Sequence, residues 1–137
     1  MTRVCLDTNV LVAAFATRGL CADVVRLVMA EHELLVSAAL IEEVTRALTR
    51  KIRVRDQVVR GIVAFLRASA STVEGAPERP PIAVRDPDDR VILGGALSGG
   101  ADVLVTGDKD LLVLGKVGAL RILDPRGFWE LVRRPGV

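Results

Sequence analysis

Residues 3–16 read Arg-Val-Cys-Leu-Asp-Thr-Asn-Val-Leu-Val-Ala-Ala-Phe-Ala, a short apolar run that ends at one acid and then continues at helical density. The first four residues predict a buried strand, and the segment after Asp7 predicts a helix. Asp7 therefore follows the carboxyl end of a strand. A charge at that position is costly to bury without a partner, which makes this acid the first candidate for a functional role.

Short strands alternate with amphipathic helices along the rest of the chain. Further strands are predicted at 34–36, 72–74, 103–105 and 121–123, and helices at 22–31, 37–49, 56–70, 86–97, 111–114 and 125–132. This alternation predicts an α/β fold, with a parallel sheet and helices on both faces. Because 137 residues bury enough surface for a core without disulfides, we expect one domain spanning residues 1–137.

Composition narrows the class of protein further. The chain has nineteen Lys and Arg and seventeen Asp and Glu, which gives a net charge of +2. This is far below the net positive charge of a dedicated nucleic-acid-binding protein. No apolar run approaches the roughly 20 residues of a membrane span, and Cys5 and Cys21 fall in predicted core elements, as thiols of a reducing compartment do. We expect a cytoplasmic protein with no signal peptide and no membrane anchor.

Four acids are expected to converge at one edge of the sheet. Ligands of parallel sheets bind outside the carboxyl ends of the strands, and Asp7 and Asp108 each follow a strand there. The two others stand near helix starts on the same side: Glu43 and Asp89. Converging carboxylates raise each other's pKa unless a cation offsets them, and Mg²⁺ or Mn²⁺ takes oxygen ligands and can activate water.

The composition leaves few other routes to hydrolysis. With a single His and both cysteines in core elements, the chain has neither a His-based triad nor a zinc site of Cys and His. Structural explanations stay open for most acids, because Asp is a favoured N-cap and Glu a common exposed helix residue. They apply to Asp86, Asp88, Asp89, Asp108, Asp110, Glu42 and Glu43.

Four motifs together carry a family resemblance. They are Leu-Asp-Thr-Asn-Val-Leu at 6–11, Ile-Glu-Glu-Val at 41–44, Asp-Pro-Asp-Asp at 86–89 and Leu-Val-Thr-Gly-Asp-Lys-Asp-Leu-Leu at 104–112. In this order they resemble the PIN-domain family, and most of all its small toxin components of bacterial toxin–antitoxin systems, of the VapC type. The resemblance implies a three-layer α/β/α sandwich around a parallel sheet of about five strands. It also implies an endoribonuclease that needs Mg²⁺ or Mn²⁺ and cleaves single-stranded RNA.

The resemblance also assigns roles to individual residues. The catalytic acids that it implies are Asp7, Glu43, Asp89 and Asp108. The metal ligands that it implies are Asp7, Asp89, Asp108 and, as an auxiliary acid, Asp110. Asn9 and Thr106 match polar residues that support the first and last acids. Glu42 is the alternative to Glu43, which we prefer because the family's acid precedes an apolar-x-x-apolar stretch like 44–47.

Partners follow from the same reasoning. We expect the RNA backbone to be held by the basic run Arg50, Lys51, Arg53 and Arg55, although such a run also fits a solvated helix end. A cognate antitoxin and a homodimer are expected, with apolar faces of the helices 22–31 and 56–70 as candidate contacts. One alternative is a PIN-like binding module that does not cleave RNA. A phosphohydrolase of the haloacid-dehalogenase type is disfavoured, because its Asp-x-Asp pair would need an acid at position 9, which is Asn.

Overall fold

A computed structural model describes residues 2–73 and 84–133, and its centre is a six-stranded sheet. The strands are β1 Arg3–Leu6, β2 Glu33–Ser37, β3 Ser71–Val73, β4 Val103–Val105, β5 Lys116–Val117 and β6 Leu120–Leu123. Their order is β3-β2-β1-β4-β6-β5, with every neighbouring pair parallel except β5 and β6. The predicted parallel sheet of about five strands is confirmed.

Seven helices complete a three-layer α/β/α sandwich among the described residues. They are α1 Thr8–Ala16, α2 Leu20–Glu31, α3 Ala38–Arg46, α4 Asp56–Ser69, α5 Pro87–Ser98, α6 Lys109–Leu112 and α7 Pro125–Val132. Their starts follow local capping chemistry: Ser37 accepts from the Leu40 amide, and Asp86 accepts from the Asp88 amide. No helix in 2–73 or 84–133 has the length and apolarity that a membrane crossing requires.

The topology produces a crevice beside β1. Successive connections run from β1 toward β2 and β3 on one side, whereas β4 and β6 lie on the other, so the strand order reverses between β1 and β4. The register pairs Leu6 with Val105, and the chain therefore leaves both strands side by side, as Asp7 and Thr106. This edge is where open parallel sheets bind ligands.

The core consists of aliphatic side chains from the central strands and the inner helix faces. Val4, Leu6, Leu35 and Leu104 are at most 1 % exposed, as expected for strands covered on both faces. Only three polar or charged residues are buried in the described part of the chain, and they are Asp7, Asp89 and Thr106. Burying charge without a partner is expensive, so these three residues mark the crevice as functional.

Two local features were not predicted. The antiparallel strand β5 has only two residues, too few for any periodicity, and joins β6 through Gly118, whose φ of +59° favours glycine. Helix α3 also continues into a π-helical turn, Ala47–Lys51, closed by a bond from the Ile52 amide to the Ala47 carbonyl of 3.1 Å. The Pro-rich stretch 75–81, whose composition predicts a loop, lies outside the described residues.

Candidate functional site

A cavity of about 450 Å³ lies outside the carboxyl ends of β1 and β4. Its lining contains six acids: Asp7, Glu43, Asp86, Asp88, Asp89 and Asp108. The four predicted catalytic acids thus meet in one place. Asp7 and Asp108 follow strands β1 and β4, whereas Glu43 and Asp89 lie on helices α3 and α5. We refer to this cavity as the acidic cleft.

Asp7 is held in a fixed orientation at the base of the acidic cleft. One carboxylate oxygen accepts from the Thr106 hydroxyl at 2.7 Å, and the other accepts from the Thr8 amide at 2.7 Å as the N-cap of α1. Burial raises the pKa of Asp7, the two hydrogen bonds lower it, and the charge of Asp108 raises it again. Burial is the largest of these effects, so the metal-free site disfavours this charge.

Thr106 connects the first and last acids. Its fully buried hydroxyl donates to Asp7 and accepts from the Asp108 amide at 3.0 Å. Asn9, the other expected supporting residue, is exposed at the cleft and makes no side-chain hydrogen bond with the described residues. The structure therefore brings Thr106, and not Asn9, into contact with the acids.

Glu43 points into the acidic cleft from the second turn of α3. Its Oε2 accepts a hydrogen bond of 2.8 Å from the Thr8 hydroxyl. Burial raises the pKa of Glu43, the bond from Thr8 lowers it, and nearby acids raise it further. Glu42 is exposed and lines a different cavity, so of the two candidates only Glu43 reaches the site.

Asp89, Asp108 and Asp110 form a tight carboxylate cluster. One oxygen from each lies within 4.8 Å of the others. Burial and the charge of Asp108 raise the pKa of Asp89 to about 7. Asp108 also caps α6 by accepting a hydrogen bond of 2.9 Å from the Asp110 amide. The same side chain therefore both caps a helix and belongs to the carboxylate cluster.

The donor set of this cluster fits a hard divalent cation. The Oδ2 atom of Asp89 is buried and receives no hydrogen bond from the described residues, which leaves a desolvated anion without compensation. All three groups offer carboxylate oxygen, the ligand type that Mg²⁺ and Mn²⁺ prefer over nitrogen or sulfur. Asp7 lies in the same cleft, but both of its oxygens already accept protein hydrogen bonds.

Basic side chains line one wall of the acidic cleft. Arg50 and Lys51 lie there as predicted, together with Arg46, which sequence reasoning missed. Arg53 and Arg55 are exposed and do not line the cleft. The π-helical turn carries two of the three cations of this wall, and such turns are frequent at functional sites.

Comparison with known proteins fits this geometry. A family model described as PIN domain matches residues 3–110, which include all the acids of the cleft. The chain belongs to the PIN-domain family. A search of curated protein sequences finds no match.

The fold of this PIN domain is also found among solved structures. One similar chain comes from the crystal structure of VapBC2 from Rickettsia felis bound to a DNA fragment from their promoter. The two chains share 12 % sequence identity at a TM-score of 0.60, covering 88 % of this PIN domain and 96 % of that chain. At this identity the likeness establishes the shared fold.

Thr8 is, with Arg46, a site residue of this PIN domain that the sequence did not indicate. Its amide donates to Asp7 and its hydroxyl to Glu43, so one residue orients two acids. Glu43 lies 35 positions further along the chain, and no local spacing links the two. The only available signal was the position of Thr8 directly after the first acid, where a hydroxyl at the start of a helix has several uses.

Proposed function

We propose that this PIN domain is a metal-dependent endoribonuclease that hydrolyses single-stranded RNA, and that it acts as the toxin of a toxin–antitoxin pair. The observation that carries the proposal is the carboxylate cluster of Asp89, Asp108 and Asp110, with a buried oxygen that lacks any donor. Membership of the PIN-domain family supports nuclease chemistry at this cluster. The choice of RNA as substrate rests on the resemblance of the sequence to toxin PIN domains.

In this proposal each residue of the cleft has a separate task. Asp7, Asp89, Asp108 and Asp110 hold Mg²⁺ or Mn²⁺, which when bound supplies Lewis-acid activation of water and of a phosphate oxygen. Thr106 and Thr8 keep Asp7 and Glu43 in the orientations seen in the structure. Arg46, Arg50 and Lys51 bind the phosphodiester backbone along the wall of the cleft.

Glu43 has a different environment from the carboxylate cluster. Its Oε2 is held by the Thr8 hydroxyl, whereas its Oε1 accepts no hydrogen bond from the described residues. A half-buried carboxylate with a raised pKa is suited to take a proton from an attacking water. We assign Glu43 that role, at Oε1.

A protein partner completes the proposal. The neighbour in the comparison is described as VapBC2, and a cognate antitoxin is the partner that this resemblance suggests for the present chain. An apolar cavity of about 420 Å³ between α1, α2 and α4, with Phe65 46 % exposed beside it, supports association with the antitoxin or a second copy. A toxin of this kind acts on cytoplasmic RNA.

The test is cleavage of single-stranded RNA by metal-stripped protein with and without added Mg²⁺ or Mn²⁺. We expect EDTA to abolish cleavage and Asp108→Asn to reduce it by at least about 100-fold, because the variant loses a ligand charge. Asp124→Asn is the matched control, since Asp124 is an exposed cap of α7 outside the cleft.

Three results would contradict the proposal. Undiminished cleavage by the metal-stripped protein would exclude metal-dependent hydrolysis. Metal binding without cleavage of any RNA would instead favour the catalytically silent binding module. Hydrolysis of small phosphate esters alone would favour the phosphohydrolase, the third class considered from the sequence.

A further inference from the structure

A second cavity opens directly beside the acidic cleft. It lies between α3 and α4, measures about 730 Å³, and shares Arg46 with the lining of the cleft. We call it the α3–α4 groove. Because one arginine belongs to both linings, a chain molecule bound in the cleft can continue past Arg46 into the groove.

The charge of the acidic cleft creates a problem for an anionic substrate. Six acids and three basic residues line it, so in the absence of metal it repels phosphate groups. The binding free energy for an RNA strand must therefore come largely from cations outside the cluster. The α3–α4 groove has the opposite balance, with Arg46, Arg60 and Arg67 against the single acid Glu42.

The three arginines are available for phosphate contacts. None of them forms a salt bridge within the described ranges, where the ion pairs involve other basic residues. Arg60 and Arg67 lie seven residues apart on α4, which places them on one helix face about 10 Å apart. Guanidinium groups bind phosphate oxygens in a planar, two-point geometry, so this face presents two such sites in a row.

The floor of the groove is apolar. Ile41 and Val59 are each 5 % exposed, and Val63 packs partly buried beside them. Little of this floor is exposed and no aromatic side chain of the described residues lines the groove, so binding of a strand here depends on its phosphates and the arginines.

We propose that the α3–α4 groove binds the part of a single-stranded RNA that flanks the cleavage site. This inference rests on the proposed function, because it extends the substrate strand from the acidic cleft. An acidic protein segment has the same charge, but the shared Arg46 places the groove next to the acidic cleft, which favours a strand that continues from the cleft. The groove thus acts as a specificity and affinity subsite for longer RNA.

The test measures binding of phosphorothioate-linked oligouridylates, which resist cleavage, to the full chain in Mg²⁺, so that the cation offsets the charge of the acidic cleft. Probes of about 4 and about 16 nucleotides distinguish the cleft alone from the cleft with its flank. The test variant is Arg60→Gln with Arg67→Gln. The control, Arg18→Gln with Arg121→Gln, removes the same charge from exposed residues that line neither cavity.

We expect the test variant to bind the longer probe about tenfold more weakly and the shorter probe as the wild type does. Two lost phosphate contacts should also flatten the slope of log K against log salt by about 1.4, at about 0.7 for each contact on a single strand. The control variant should change the affinity for the longer probe and the salt slope much less. Arg60→Lys with Arg67→Lys should recover much of the affinity because it restores the charge.

Several outcomes would overturn the inference. Equal losses in the test and control variants would mean that only net charge matters. If the test variant bound RNA like the wild type, the groove would not be an RNA subsite. If it also lost binding of a protein partner, the groove would be a protein-binding surface instead. Binding of the longer probe through the groove without cleavage under any metal would support the groove while refuting the proposed nuclease function, so the two failures are distinguishable.

Discussion

At the scale of single residues, two threonine hydroxyls organise the acids. The Thr106 hydroxyl joins the Asp7 carboxylate to the backbone amide of Asp108, whereas Thr8 donates to the Asp7 carboxylate with its amide and to Glu43 with its hydroxyl. Carboxylates that repel one another would otherwise turn away toward solvent. These hydroxyls hold the charges together before any cation binds.

Thr8→Val should separate orientation from folding. The variant keeps the shape of the side chain and the hydrogen bond from the backbone amide to Asp7, but it removes the hydrogen bond to Glu43. A hydrogen bond to a charged acceptor contributes about 1.5–3 kcal/mol, so we expect kcat to fall by about 10- to 100-fold. Because that bond lowers the pKa of Glu43, its loss should move the acid limb of the pH–rate profile to higher pH. Thr8→Ser should restore both values. A slow variant with an unmoved pH profile would count against this role.

Asp89 should make the metal-free protein less stable as the pH rises. Its folded-state pKa is about 7 against a model value of 3.8, so the folded state binds more protons than the unfolded state between these values. The associated stability is fully present below pH 3.8 and is lost as the pH rises through about 7. Thermal melts in EDTA should show this decline.

Asp89→Asn provides the control for that pH dependence. The amide cannot ionise, so the melting temperature should vary less between pH 5 and 8 than in the wild type, by the linkage relation. Added Mg²⁺ or Mn²⁺ should stabilise the wild type more at the higher pH, where the ligands are ionised. An equally steep decline in Asp89→Asn would assign the effect to other groups.

At the scale of elements, helix starts bring the acids to the crevice. Asp7, Asp86 and Asp108 are the N-caps of α1, α5 and α6, and each accepts a hydrogen bond from a first-turn amide. Ser37 and Asp86, the first residues of the helices predicted at 37–49 and 86–97, cap α3 and α5 through hydrogen bonds. Aspartate suits both helix capping and the acidic cleft, because each requires an oxygen acceptor at the end of a strand or the start of a helix.

Asp86→Ala tests the purely structural member of this set. We expect a loss of about 1 kcal/mol in the free energy of unfolding, since the amide of Asp88 loses its acceptor. RNA cleavage at temperatures well below the transition should stay within a few-fold of the wild type. Asp86→Ser, which keeps a capping oxygen, should recover the stability. Loss of cleavage in both variants at unchanged stability would move Asp86 into the catalytic set.

At the scale of the whole molecule, the surface carries two regions of opposite character. The acidic cleft and the α3–α4 groove form a charged region, whereas the cavity between α1, α2 and α4 is apolar and includes Phe15 and Phe65 in edge-to-face contact at 6.2 Å. Exposed aromatic surface of this kind commonly marks a protein contact. In the proposed function, RNA binds the charged region and a protein partner binds the apolar one.

Light scattering at micromolar concentrations should show a species of twice the monomer mass. Phe65→Ser should shift it toward monomer, because the substitution removes apolar area from the contact surface without touching the core. Val113→Ser is the control, since Val113 is 79 % exposed and lies outside this cavity. Only monomer across this range, with or without the substitutions, would contradict the homodimer.

Apart from β5 and the π-helical turn, the sequence alone was sufficient for the strand–helix order and for placing the four acids at one edge of the sheet, because these depend on local periodicity and on residue types at element ends. The catalytic roles of the acids stay a prediction. Single-domain organisation over 1–137 stays a prediction. Tertiary structure decided which of two adjacent glutamates faces the cleft, and that Thr8 rather than Asn9 holds an acid. It also made Arg46 the common wall of two cavities. Such contacts join residues far apart in the chain, and only the packing of α3 against α1 and α4 brings them within hydrogen-bonding or electrostatic reach.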